Sequence, residues 1–331
     1  MAKELRMALV LGASGGIGGE LARQLRERGW SVRGLSRTVR PGQRDGIDWI
    51  VGDALDRSAV AAAARGCAVI AHAVNPPGYR RWTELVLPML DNTLAAAAAE
   101  RAIVLLPGTI YNYGRDVPLP AGEDAPKHPA GSKGAVRVEM EARLRDFAES
   151  GRGRALIVRA GDYFGPTVAS SWFSQAMLRP GRPVHRIRYP GRVGVGHQWG
   201  YLPDVACTMV RLLHRVDEFE PFARFHMAGH WDQDGRAMVA ALRRVVTRRT
   251  GREPGIGAFP WWAVPLLAPF NETMREMGEV RRFWHEPLRL DNSRLLAVLG
   301  EEPHTPLEEA IEATLVGMAC LTGAPGVVAP A

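Results

Sequence analysis

An α/β fold, built as a doubly wound parallel sheet with a smaller mixed α/β domain on its C-terminal side, is what the residues of this chain point to. Three features carry that expectation. Short apolar runs alternate with amphipathic segments through the first half of the chain. A glycine-rich turn joins the first run to the first amphipathic segment, and the length of 331 residues exceeds what one hydrophobic core usually supports.

Met7-Ala8-Leu9-Val10-Leu11 reads as the first strand, and Ile17, Leu21 and Leu25 recur behind it every four residues, the spacing of one helix face. Between them stands Gly12-Ala13-Ser14-Gly15-Gly16-Ile17-Gly18. Glycines at such a junction allow a tight turn, close approach of backbone to a diphosphate and a helix packed hard on its strand, with helix N–H groups facing the anion. The expected ligand is a dinucleotide held by Gly12, Ser14, Gly15, Gly16, Ile17 and Gly18, and the sheet is then of the Rossmann type. Strands two to six are expected over 30–35, 48–51, 68–71, 103–106 and 155–158, with helices over 58–65, 84–100 and 136–149 between them. Residues 1–165 make the dinucleotide domain, which also receives about 200–230. Residues 166–321 make the substrate domain, and the Ala/Gly/Pro-rich 322–331 is expected to fray.

Ligands of parallel sheets bind at the carboxyl ends of the strands, so the residues just after each strand matter most. After strand two comes Ser36-Arg37, with Arg33 and Arg40 nearby, where an enzyme selective for NAD would place a carboxylate. Arginine there suits a 2′-phosphate, and NADP(H) is the expected cofactor with NAD(H) as the alternative. Asp53 and Ala54 follow strand three; the aspartate can accept from an adenine amino group, cap the next helix, or do both.

Composition narrows the setting. The apolar fraction of 46% is ordinary, and no run of about 18 uncharged apolar residues or secretory leader is visible, so a cytoplasmic protein without a membrane partner is expected. Cys67, Cys207 and Cys320 are odd in number and far apart, which suits neither disulfides nor metal binding. The net charge of +7 is spread over scattered arginines rather than a basic arm, which argues against nucleic acid. Arg243-Arg244 and Arg248-Arg249 close a helix before Gly251, where cations complement its dipole. The run from Arg179 to Arg192 suits recognition of a phosphate or carboxylate on a small-molecule substrate, or is solvated surface charge.

Gly12-x-x-Gly15-x-x-Gly18 with Gly52-Asp53 resembles the extended short-chain dehydrogenase/reductase superfamily, the NAD-dependent epimerase/dehydratase group. The resemblance continues in order through His72-Ala73, Asn92, Pro107-Gly108-Thr109 to Tyr113-Gly114, Arg159-Ala160-Gly161 to Phe164-Gly165-Pro166, and Tyr201-Leu202-Pro203-Asp204-Val205-Ala206. It ends at Asp291-Asn292-Ser293-Arg294, Leu299-Gly300 and Thr305-Pro306-Leu307, covering nearly the whole chain. It implies that His72 and Ala73 border the cofactor, that Thr109 polarises the substrate oxygen, and that the chain forms a homodimer through its two long helices, with Ala95 to Ala99 allowing close approach.

The resemblance also implies a Tyr-x-x-x-Lys pair on the helix after strand five, and here the chain departs from the pattern. No tyrosine lies between Tyr113 and Tyr163. Either Ser132-Lys133 keeps the ribose-binding lysine and Pro129 replaces the tyrosine, or registration on Glu141 puts Lys133 at the tyrosine position and Arg137 at the lysine position. The second is preferred, because a glutamate four residues beyond the lysine is common in the family. Arg137 can hold a ribose but cannot be neutralised. Substitute proton donors are Tyr111, Tyr113 and Tyr163, or the imidazole of His197. Three functions follow: an NADP(H)-dependent oxidoreductase, a nucleotide-sugar epimerase or dehydratase, or a nucleotide-binding sensor without catalysis.

Overall fold

The protein is described here by a computed structural model covering residues 6–38, 46–76, 81–168, 171–269 and 272–322; Arg40 and 323–331 lie outside the described residues. In chain order the elements begin β1 (Met7–Leu11), α1 (Gly16–Glu27), β2 (Ser31–Ser36), β3 (Asp48–Val51), α2 (Arg57–Ala64), β4 (Val69–His72), α3 (Trp82–Glu100) and β5 (Ile103–Gly108). They continue with α4 (Ser132–Glu149), β6 (Arg154–Arg159), β7 (Asp162–Phe164), β8 (Arg186–Tyr189), β9 (His197–Tyr201), α5 (Leu202–Leu213), β10 (Phe222–His226) and β11 (His230–Asp232). The last are α6 (Ala237–Thr250), β12 (Gly255–Ala258), α7 (Ala263–Leu267), α8 (Glu272–Val280), α9 (Arg282–His285), α10 (Ser293–Leu299) and α11 (Leu307–Gly317).

Alternation along β1 explains the layering. Ala8 and Val10 point to one face, where Leu21 and Leu25 of α1 and Val205 and Met209 of α5 cover them. Leu9 and Leu11 point to the other, under Leu90 and Leu94 of α3 and Leu144 and Phe147 of α4. Burial on both faces is what makes these strands read as continuous apolar runs. The seven strands run in the order β10-β6-β5-β4-β1-β2-β3, every neighbouring pair parallel. Strand order reverses direction between β1 and β4, and a ligand crevice opens at such a point.

A second cluster of aromatic and aliphatic side chains, including Phe164, Phe173, Trp199 and Trp284, packs against α6 and α11. It is flanked by a three-stranded sheet, β11-β9-β7, and a two-stranded one, β12-β8. The arginine-rich stretch contains β8, in which Arg186 and Arg188 are exposed while Ile187 and Tyr189 are buried. Trp261 also joins this core, whereas neighbouring Trp262 is exposed. The arginines closing α6 reach across to α11, with Arg244 and Arg248 on Glu308 and Arg248 on Glu312.

Helix α4 starts four residues before the expected position. Gly134 is a poor helix former by propensity, but a Cβ there would collide with Pro129 and with the carbonyl of Tyr111, so the packing of that turn requires glycine. The other end of the face is anchored by Glu141. Its Oε1 pairs with Arg159 and accepts from Asn112 Nδ2 at 2.9 Å, and its Oε2 lies 3.3 Å from Lys127 Nζ. Arg159 also donates to the carbonyl of Thr109 and to Asn112 Oδ1. Burial pushes the Glu141 carboxyl up, yet Arg159 and Lys127 outweigh it and hold it below the usual range.

Replacing Glu141 with alanine should destabilise the fold by about 3–5 kcal/mol, because it strands a buried guanidinium. The carboxyl titrates lower folded than unfolded, so its contribution is present above about pH 4.3 and is lost as pH falls through the folded value. Urea denaturation of wild type and Glu141→Gln should therefore give a gap that is widest near neutrality and narrows in acid. A gap independent of pH would contradict the ionised pair.

Candidate functional site

The glycine turn is shaped by contacts no side chain would permit. Gly12 has φ +88°, and a Cβ there would lie 2.5 Å from the carbonyl oxygen of Ala73, just past β4. A Cβ on Gly18 would collide with the carbonyl of Gly12. Gly15 caps α1 without a side-chain bond, and the first turn of that helix carries no acid. Its N–H groups and positive dipole end are thus left for an anion, with Ser14 exposed beside them. A Cβ on Gly15 would meet the Gly12 carbonyl at 3.3 Å, so the open side of the turn suits close approach of a diphosphate. Gly16 and Ile17 are half-buried, and the Thr167 hydroxyl donates to the Gly16 carbonyl at 3.2 Å. Thr167 was not foreseen, because a contact across 151 residues leaves no local pattern.

At the ends of β2 and β3, Arg37 is exposed and Asp53 half-buried. The Asp53 carboxylate accepts from Leu55 N at 3.0 Å and braces the turn. Capping of α2 falls instead to Asp56, which accepts from the N–H groups of Ser58 and Ala59, a correction to the capping role considered for Asp53. Ala54 is buried, its carbonyl held by Asn92 of α3 at 3.0 Å.

Three further strand ends converge next to this edge. His72 Nδ1 donates to Thr93 Oγ1 at 2.8 Å, because the threonine's own proton goes to the Met89 carbonyl. That leaves Nε2 as a buried bare acceptor without a partner among the described residues. Burial, and then the charge of Arg137, push the His72 pKa down to about 3, so the ring is neutral. The Arg137 guanidinium sits 5.0 Å from the centre of the Trp82 ring. Its charge also reaches Tyr163, whose hydroxyl donates to the Gly108 carbonyl at 3.0 Å and whose pKa burial pushes up to about 12. Lys133, Arg137 and Glu141 repeat every four residues of α4, so one helix face carries all three. The charge of Arg137 reaches His72 at the end of β4 and Tyr163 in β7.

Of the remaining tyrosines, Tyr113 is fully buried, and its hydroxyl donates to His226 Nε2 at 3.0 Å while His226 Nδ1 donates to the Ala121 carbonyl. Burial pushes its phenol up, and the structure does not bring it to the strand edge. Tyr111 is half-buried in the turn after β5, two residues from the half-buried Thr109, and donates to Asp162 Oδ1 at 3.0 Å. The other carboxylate oxygen approaches His197 Nε2 to 3.0 Å without hydrogen-bond alignment. His197 Nδ1 donates to the Phe283 carbonyl at 3.2 Å, and the imidazole stacks on Trp284 with centroids 3.9 Å apart. Asp162 was missed, although its place just after strand six was the signal that could have found it.

Among the described residues no group of three or more His, Cys, Asp or Glu could hold a metal ion, and no helix is long and apolar enough to cross a membrane.

The chain shares its fold with UDP-galactose 4-epimerase (19% identity, TM-score 0.69), covering 95% of this chain and 98% of the other. It does so too with UDP-glucose 4-epimerase from Brucella ovis in complex with NAD (16% identity, TM-score 0.73, 95% and 98% covered). A third is UDP-glucose 4-epimerase from Bifidobacterium longum in complex with NAD+ and UDP (14% identity, TM-score 0.72, 93% and 97% covered). No curated protein matches the sequence. Residues 8–228, more than half of the chain, match the NAD dependent epimerase/dehydratase family, and the chain belongs to that family.

Proposed function

We propose that this chain is a nicotinamide-dinucleotide-dependent enzyme of the epimerase/dehydratase kind, which oxidises a hydroxyl-bearing carbon of an anionic small molecule of the nucleotide-sugar class. The observation that carries this reading is the meeting, at one edge of the sheet, of an uncapped helix N-terminus and a hydroxyl–carboxylate pair, Tyr111 and Asp162. The fold shared with UDP-sugar epimerases supports the substrate class. The residues fit the dinucleotide: Gly12 to Gly18 take the diphosphate, Asp53 and Ala54 border the adenine, and His72, Ala73 and Arg137 border the nicotinamide ribose. Residues 166–321 complete the substrate side. Pairing of α3 and α4 across a homodimer belongs to the same reading, and light scattering at twice the chain mass checks it.

A bound nicotinamide supplies hydride exchange with the substrate carbon. The protein supplies the proton path. Thr109 polarises the substrate oxygen, and Tyr111 Oη takes the substrate's hydroxyl proton as its own proton passes to Asp162 Oδ1. One O–H bond breaks on the substrate and one forms on the carboxyl; the reverse transfer restores both. His197, fixed by the Phe283 carbonyl and the Trp284 ring, stands beside Asp162 on the side away from Tyr111. Lys133 and Arg137 occupy the face that carries Tyr and Lys in relatives, and Arg137 anchors ribose hydroxyls without taking a proton. A regulator that binds dinucleotide without turnover is the competing reading, favoured by the absence of tyrosine from α4.

Cofactor choice follows from Arg37, exposed after β2 where no acid stands. NADPH should bind more tightly than NADH by about 1.5–3 kcal/mol, the range for a hydrogen bond to a charged group. Fluorescence titration of Arg37→Ala should erase that difference; equal affinities in the wild type would reject the assignment.

The proton path makes a separate demand. With a panel of UDP-sugars and either dinucleotide, Tyr111→Phe and Asp162→Asn should each lower turnover by about 10²–10⁴-fold with dinucleotide affinity unchanged. Undiminished turnover in Asp162→Asn would remove the carboxylate from the path, and dinucleotide binding with no turnover of any sugar in the wild type would favour the regulator.

A further inference from the structure

A groove of about 890 Å³ runs along the outer face of α6, between that helix and the β8–β12 ribbon. Its floor is apolar, with Val193 and Ile256 more than half exposed (58% and 51%) and Val239 beside them. Isolated exposed aliphatics are ordinary, but these share one concavity of the size of small-molecule sites.

The inner end of the groove is closed by Tyr189, which is only 6% exposed. Its ring and hydroxyl are wedged between two glycines: a Cβ on Gly191 or on Gly235 would lie 2.7 or 2.9 Å from the phenolic oxygen. That oxygen is buried and has no hydrogen-bond partner among the described residues. A buried hydroxyl left in this state costs free energy that a polar ligand atom would recover. Burial, with the charges of Asp232, Asp162 and Asp234, pushes the phenol up, so it stays protonated and offers a donor.

The residues lining the groove carry more positive than negative charge. Four arginines (236, 243, 244 and 248) line the groove against two glutamates, Glu253 and Glu308. Glu253 pairs with Arg243, Glu308 is shared by Arg244 and Arg248, and Arg248 also holds Glu312, which fixes those three guanidinium groups in place and leaves Arg236 the most loosely held cation of the lining. Arg236 is exposed at the Tyr189 end, 3.8 Å from Asp234. A donor hydroxyl, a cationic rim and an apolar floor form one complementary surface.

We propose that this groove is a second ligand site, taking an anionic amphiphile whose apolar body lies on Val193, Val239 and Ile256 and whose carboxylate, sulfonate or phosphate group faces Arg236. The Tyr189 ring at the inner end of the groove stands edge-on to Trp284, the ring on which His197 stacks.

The test uses the full chain and 8-anilinonaphthalene-1-sulfonate as the probe. Fluorescence titration should show one saturable site per chain that persists in saturating NADPH, is displaced by decanoate and is not displaced by decanol. Arg236→Glu and Ile256→Asp, both at exposed positions, should each weaken the probe about tenfold or more, the scale of one lost charged or apolar anchor. Circular dichroism confirms that the variants fold. Absence of a saturable site, displacement of the probe by NADPH, equal displacement by decanol, or unchanged binding in both variants would overturn the proposal. So would a wild-type dimer that Ile256→Asp splits in ultracentrifugation without any ligand, since the groove would then be a contact between copies.

Discussion

The buried pair between Arg159 at the end of β6 and Glu141 on α4 is the constraint on which the site depends. A guanidinium 1% exposed is tolerable only with its donors filled, and this one is held by Glu141, Asn112 and the Thr109 carbonyl. Those three partners belong to α4 and to the turn after β5, so a single side chain ties the helix to the turn. With Glu141 fixed, the rotation of α4 is fixed, and Arg137 one turn earlier must face the ends of β4 and β7. With the Thr109 carbonyl fixed, the turn that presents Tyr111 is fixed as well. Asn112 closes the loop by bonding both members of the pair.

Arg137 then sets the electrostatics of the edge. Arg137 is a permanent cation, and its field helps keep His72 neutral with a bare acceptor nitrogen. The same field opposes the effect of burial on Tyr163, whose hydroxyl is already committed to the Gly108 carbonyl. Tyr113 is likewise committed, to His226. Tyr111 differs, because its partner is a carboxylate that can accept its proton, and an imidazole stacked on Trp284 lies 3.0 Å from the other oxygen of that carboxylate. Helix α4 carries no tyrosine, and Tyr111 of the neighbouring turn places its hydroxyl on the Asp162 carboxylate.

The sequence alone determined the parts of this protein that are encoded over short distances. The first strand, its glycine turn and its helix were legible because a period of two, a period near four and an uncapped glycine junction are local properties of the chain. The remaining strands of the parallel sheet were legible for a related reason: buried on both faces, they read as apolar runs. The ordered fragments from Gly12 to Leu307 carried the family. Tertiary structure decided what depends on neighbours far apart in sequence. Asp162 meets Tyr111 across 51 residues and His197 meets Phe283 across 86, pairings set by the order of strands and by where α9 packs. Helix α4 begins before Gly134 against its propensity, because the space beside Pro129 and Tyr111 admits no Cβ. Tyr113 looked equivalent to Tyr111 two residues away, but in a tight turn neighbouring side chains diverge, and one went to the interior and the other to the edge.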